Sequence, residues 1–144
     1  GAPGHSPFAG GSHSVTAFID TNVIIRHLTG DPADMAARAT AFPAGADQLL
    51  LPDVIVADTI YVLESFYEVP RGQVAQLVRS IVAFPAMRTL HLALLLRTLE
   101  IYETHGVDFA EAYLAASAEV AGGREIASFD RSLDRVPTVS RVEP

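Results

Sequence analysis

Val15-Thr16-Ala17-Phe18-Ile19 runs directly into Asp20-Thr21-Asn22, and this stretch decides the fold class. A short apolar, partly β-branched run predicts a strand buried on both faces. The carboxylate that follows places Asp20 at the carboxyl end of a central strand, the edge where parallel sheets hold their ligands. Thr21 and Asn22 suit the start of a helix, and Val23 to Leu28 predicts a short one that closes near Gly30. Strand, carboxylate, helix is the opening of an α/β chain.

Downstream the alternation continues. Asp31-Pro32 opens a second helix through Met35 and Ala39, and Gln48 to Leu51 predicts a strand. Helical spacing of Ile55, Val56, Ile60, Leu63 and Tyr67 predicts a helix over Asp53 to Tyr67, and Val74, Leu77, Val78 and Ile81 another over Arg71 to Phe84. Met87 to His91 predicts a strand, Leu92 to Thr104 and Asp108 to Val120 helices, Glu125 to Ser128 a strand, and Val136 to Val142 an edge strand. This order predicts an α/β fold with a mostly parallel sheet, one domain over residues 15–144.

Composition narrows the chemistry. The chain has 144 residues, 17 acidic and 10 basic side chains, and a formal charge of −7. All the basic residues are Arg, and there is neither Lys nor Cys. Disulfides, thiolate zinc sites, cysteine nucleophiles, a P-loop lysine and Schiff-base chemistry are therefore excluded. An acidic chain is poorly suited to coating DNA without specificity. Composition predicts a soluble protein of a reducing compartment, the cytoplasm. Gly1 to Ser14, rich in small and turn-forming residues, reads as a cloning remnant without signal-peptide character. The longest apolar run, Leu92 to Leu96, is far short of the roughly 20 residues of a membrane span.

Four acids stand in apolar company. Asp20 and Asp130 each follow a predicted strand. Asp58 lies in Val54-Ile55-Val56-Ala57-Asp58-Thr59-Ile60, and Glu111 lies among Phe109, Ala110, Ala112, Tyr113 and Leu114. Asp108, three residues before Glu111, shares its helix face. Each has a plainer role as a cap or surface charge; together they predict one polar pocket. Setting aside Asp20, Asp58, Glu111 and Asp130 leaves 13 acids against 10 bases, so more than half the net charge falls on four residues. Two such charges 4 Å apart repel by about 4 kcal/mol at an effective dielectric near 20. Without Lys, a divalent cation is the economical counter-charge, and all-oxygen ligands favour Mg²⁺ or Mn²⁺. Hydrolysis of a phosphodiester is the natural reaction class.

Phe18-Ile19-Asp20-Thr21-Asn22, Val56-Ala57-Asp58-Thr59-Ile60-Tyr61-Val62-Leu63-Glu64, Val107-Asp108-Phe109-Ala110-Glu111-Ala112 and Ala127-Ser128-Phe129-Asp130 together resemble the PIN domain family. The likeness is nearest to the VapC-type toxins of bacterial toxin–antitoxin pairs. It implies a three-layer α/β/α sandwich around a parallel sheet, Mg²⁺- or Mn²⁺-dependent RNA cleavage, a homodimer, and a VapB-type antitoxin as partner. Asp20 and Asp130 match the family's first and last acids, and Asn22 the residue that buttresses the first. Asp58 stands where Glu is usual, and Glu111 where Asp is usual, so reach changes while charge does not.

On that resemblance, Asp20, Asp130 and one of Asp108 or Glu111 hold the metal, while Asp58 orients the attacking water or a second metal. Thr21 and Ser128 support the carboxylates or a phosphate oxygen. Arg131 and Arg135 are the candidates for RNA phosphate contacts. Glu64, six residues past Asp58, reads as a surface residue. The five His, at 5, 13, 27, 91 and 105, lack metal-ligand spacing. One rival reading keeps the fold and makes the chain a catalytically weak domain that binds an antitoxin or RNA. Another, an aspartate-nucleophile phosphatase, needs a second acid where Asn22 stands and a lysine that is absent.

Overall fold

The computed structural model describes residues 16–44 and 48–144. Residues 1–14, expected to be a cloning remnant, and Val15 of the predicted first strand lie outside the described residues. The order of elements is β1 (Thr16–Phe18), α1 (Thr21–Thr29), α2 (Ala33–Ala44), β2 (Gln48–Leu50), α3 (Asp53–Ser65), α4 (Arg71–Val82), β3 (Met87–Arg88), α5 (Leu92–His105), α6 (Phe109–Ala121), β4 (Glu125–Ala127) and β5 (Ser140–Val142). A 3-10 turn, Arg131–Arg135, lies between β4 and β5.

The chain forms two compact units. One runs to Glu68 and resumes over Leu77–Leu90; the other takes Val69–Gln76 and His91–Pro144. In the first, β1, β2 and β3 form a parallel sheet in that order, with Phe18 opposite Leu50 and Leu49 opposite Met87. The middle strand is thus β2, not β1 as predicted. Leu49 is fully buried, whereas Phe18 is 73% exposed. The strand expected to be buried on both faces has one exposed face, which carries Thr16 and Phe18. Around Leu51, the side chains of Ile24, Val56, Val78 and Ile81 converge to form this unit's core. Each such side chain contributes about 1.5–3 kcal/mol on burial.

In the second unit, β4 pairs with β5 in parallel, Ile126 opposite Arg141. Helix α5 packs along α6. The small buried side chains Ala112, Ala115 and Ala116 permit that close approach, and Leu95, Leu99 and Tyr102 are buried on α5. Helix α5 ends at Gly106, whose φ of 66° is a left-handed conformation that side chains with a Cβ resist. The chain then turns into α6, bringing Asp108 and Glu111 to the start of that helix.

Boundaries differ from the predicted ones by one to three residues at most helix ends, as fraying makes usual. Helix α2 reaches Ala44, past the predicted Ala39, and β5 covers only the last part of the run from Val136. No helix among the described residues is long and apolar enough to cross a membrane.

Candidate active site

In the first unit, Asp20 closes β1 and is the N-cap of α1. Its Oδ1 accepts a hydrogen bond from the Thr21 amide at 2.8 Å. The carboxylate is exposed, and its other oxygen has no hydrogen-bond partner among the described residues. Beside it the Thr21 hydroxyl is buried, with no partner among the described residues. Asn22 does not buttress Asp20: it is exposed and makes no hydrogen bond among the described residues, and the backbone of Thr21 does the holding.

Asp58 lies on α3, whose buried face is Val56, Thr59, Ile60 and Leu63. One residue on either side of that face changes everything for a carboxylate, and Asp58 is exposed. The expected desolvation cost therefore does not arise, and the carboxylate has no ion pair among the described residues. Glu64 is half-buried and engaged, in contrast to the surface position expected for it.

In the second unit, Asp130 follows β4 as Asp20 follows β1. It caps the 3-10 turn, its Oδ1 accepting from the Ser132 amide at 2.9 Å. The Ser132 hydroxyl, then its amide, holds the carboxyl below its usual range, and the positive charges of Arg135 and Arg141 act in the same direction. Asp130 is thus an anion at any pH near neutrality. The Ser128 hydroxyl accepts from the Asp130 amide at 2.9 Å, shaping the turn that presents the acid.

Asp108 occupies the N-cap position of α6, yet its side chain makes no capping bond. Its carboxylate is 83% exposed and 4.0 Å from the Arg71 guanidinium. The cap role that competed with a ligand role is therefore not taken. Glu111, one turn on, is half-buried with no ion pair among the described residues. Of the two arginines expected to meet RNA, Arg131 is exposed, while Arg135 donates to the Gly106 carbonyl at 2.9 Å and braces the α5–α6 turn.

Two supporting arginines have no signal in the sequence spacing. Arg141, on β5, pairs with Asp134 through two nitrogens at 3.0 and 3.3 Å and donates to the Ser128 carbonyl at 3.1 Å. It ties down both sides of the loop that carries Asp130. Arg71 donates to the carbonyls of Tyr102 at 3.0 Å and Val107 at 2.6 Å, with its guanidinium 4.4 Å from the Tyr102 ring centroid.

The PIN domain family profile matches residues 17–139. The chain belongs to the PIN domain family. The three-layer α/β/α fold class expected from the sequence is that of the family, and the six helices and the parallel β1-β2-β3 sheet agree with it. PIN domains are generally metal-dependent nucleases, and members of the family often bind RNA and antitoxins. Among curated proteins, no sequence matches the chain significantly.

Divalent metal is the family's usual cofactor, and the donors here suit it chemically. They are hard carboxylate oxygens, with one oxygen of Asp20 unengaged and Asp58 and Glu111 free of arginine among the described residues. No three or more acidic or histidine side chains among the described residues form a group able to hold a metal. The two units supply different acids: Asp20 and Asp58 in the first, Asp108, Glu111 and Asp130 in the second.

Proposed function

We propose that this PIN domain is a Mg²⁺- or Mn²⁺-dependent endoribonuclease that hydrolyses RNA phosphodiesters as the toxin of a toxin–antitoxin pair. A VapB-type antitoxin would restrain it, and a homodimer in the cytoplasm is its working form. One observation carries the reading. Asp20 and Asp130 repeat a single arrangement, each an exposed carboxylate at the carboxyl end of a parallel strand, each held through Oδ1 by a backbone amide. Acids presented in this way are pre-oriented without being neutralised.

On this reading, Asp20, Asp130 and one of Asp108 or Glu111 would hold the cation. A carboxylate-held Mg²⁺ supplies charge neutralisation at phosphate and a more acidic water. Asp58, exposed and unpaired, is suited to accept a proton from the attacking water as its oxygen bonds to phosphorus and the phosphorus–oxygen bond of the leaving nucleotide breaks. Thr21 and Ser128 act through the acids they adjoin. Arg131, exposed beside Asp130, is suited to a phosphate; Arg135 offers its remaining nitrogens.

The reading that keeps the fold and weakens the chemistry draws on the lack of a three-acid group among the described residues. One comparison separates the two. Wild type and Asp20→Ala are assayed for growth arrest and RNA cleavage, with and without Mg²⁺ or Mn²⁺. Metal-dependent cleavage lost in Asp20→Ala supports the nuclease; equal toxicity of both proteins, or no cleavage by wild type at millimolar Mn²⁺, defeats it.

A further inference from the structure

A cavity of about 420 Å³ opens beside Asp20, within the first unit. Its walls include Phe18 from β1, Asn22 and Arg26 from α1, and Met35 and Arg38 from α2. That volume is in the range of small-ligand sites, roughly 300–1,000 Å³. Three features bear on what fills it.

Phe18 exposes most of its ring at the end of the strand, two residues before Asp20. An exposed aromatic beside a carboxylate is costly to keep wet and offers a flat face. Arg26 donates from Nε to the Met35 sulfur at 3.4 Å. A thioether is a weak acceptor, so this contact aims the guanidinium without neutralising it, and its two Nη groups keep their donors. Arg38 is exposed, and neither arginine has an acidic partner among the described residues. Elsewhere in this acidic chain, Arg97 and Arg141 are each paired with carboxylates. Two uncompensated guanidinium groups, an exposed ring and apolar walls favour an anion that carries a flat ring.

We propose that this cavity is a nucleotide subsite, taking one nucleotide of single-stranded RNA with its base on Phe18 and its phosphate on Arg26 and Arg38, next to Asp20. Stacking on an aromatic side chain and pairing of guanidinium with phosphate are the means by which unpaired bases are held. An acidic protein segment would satisfy the arginines and leave the ring unused, which is why RNA is favoured. The proposal rests on the nuclease reading and assigns it a substrate-binding element.

The test is binding in EDTA, where cleavage is silent. A labelled single-stranded RNA decamer is titrated into the full chain and into Phe18→Ala, Phe18→Trp, and an Arg26→Gln/Arg38→Gln double variant, each checked for unchanged thermal melting. We expect Phe18→Ala to weaken binding about fivefold or more and Phe18→Trp to retain it. The double variant is expected to weaken binding at least tenfold and to flatten its dependence on salt. Unchanged affinity in both Phe18→Ala and the double variant overturns the subsite, while the nuclease reading survives if wild type cleaves. Pocket-dependent binding without cleavage by wild type in Mn²⁺ defeats the nuclease reading and leaves the subsite standing. If a glutamate-rich decamer peptide binds through the arginines and RNA does not, the nucleotide assignment is wrong.

Discussion

Arg71 Nη1 donates at 2.6 Å to the carbonyl of Val107, the residue before Asp108. The same nitrogen reaches the Tyr102 carbonyl near the end of α5, so one guanidinium from the start of α4 joins a helix end to the loop that begins α6. Val107 and Tyr102 are buried, and carbonyls left there without a donor would be costly. Arg71→Met should therefore lower stability by about 1–3 kcal/mol in urea unfolding. Arg71→Lys should recover only part, because an ammonium lacks the planar fork that stacks on Tyr102 while bonding both carbonyls. Stability equal to wild type in both variants would show that the clamp carries no weight.

Exposed acids are removed cheaply from a fold. Asp20→Asn and Asp130→Asn should each leave the melting temperature nearly unchanged while abolishing RNA cleavage, if the carboxylates serve metal and substrate. A loss of activity matched by loss of the folded fraction in circular dichroism would reassign them as structural.

Metal binding can be followed without turnover. Mn²⁺ at 100 times its dissociation constant would stabilise the folded chain by about 2.7 kcal/mol. Asp20→Asn and Asp130→Asn should reduce that rise in melting temperature. Comparing Asp108→Asn with Glu111→Gln then identifies the third donor, as the variant with the smaller rise. A melting temperature indifferent to Mn²⁺ in wild type counts against all these assignments.

Acid sensitivity has a source in the second unit. Glu119 is gripped by Arg97 through two hydrogen bonds of 2.8 and 2.9 Å, and the Thr138 hydroxyl donates to the same carboxylate. The bond from Arg97 is the largest influence, and it lowers the Glu119 pKa from 4.5 to about 2. A carboxyl whose pKa falls on folding stabilises the fold above its unfolded pKa. This contribution, on the order of 2–3 kcal/mol, should be complete above pH 4.5 and disappear as the pH falls towards 2. Glu119→Gln should flatten the profile of melting temperature in that window, and an unchanged slope would refute the linkage.

Arg141 supports the Asp130 loop from a distance of 11 residues in sequence. Arg141→Met should lower the melting temperature by freeing Asp134 and the Ser128 carbonyl. It should also raise the Asp130 pKa, since Arg141 is one of the charges that depress it. An NMR titration of the Asp130 carboxyl that does not move would assign Arg141 to stability alone.

Much of this protein is written locally. The apolar run before Asp20, the run Glu125-Ile126-Ala127 before Asp130, and the helical spacing of Val56, Ile60 and Leu63 are each set by nearest neighbours, whose backbone preferences and side-chain periodicity a sequence displays directly. So the order of elements, the parallel pairing and the position of two acids at strand ends followed from the chain itself. Tertiary structure alone decided which side of α3 carries Asp58, because a helix with apolar residues on most sides does not announce its solvent face. It alone decided that Asp108 leaves its cap bond unmade, that β2 and not β1 is the middle strand, and that Arg26 and Arg38 share a cavity while Arg71 spans 36 residues to Val107. These relations depend on contacts between distant segments, and a long arginine side chain has many carbonyls and carboxylates within its reach. Which of them it meets is fixed only when the helices pack.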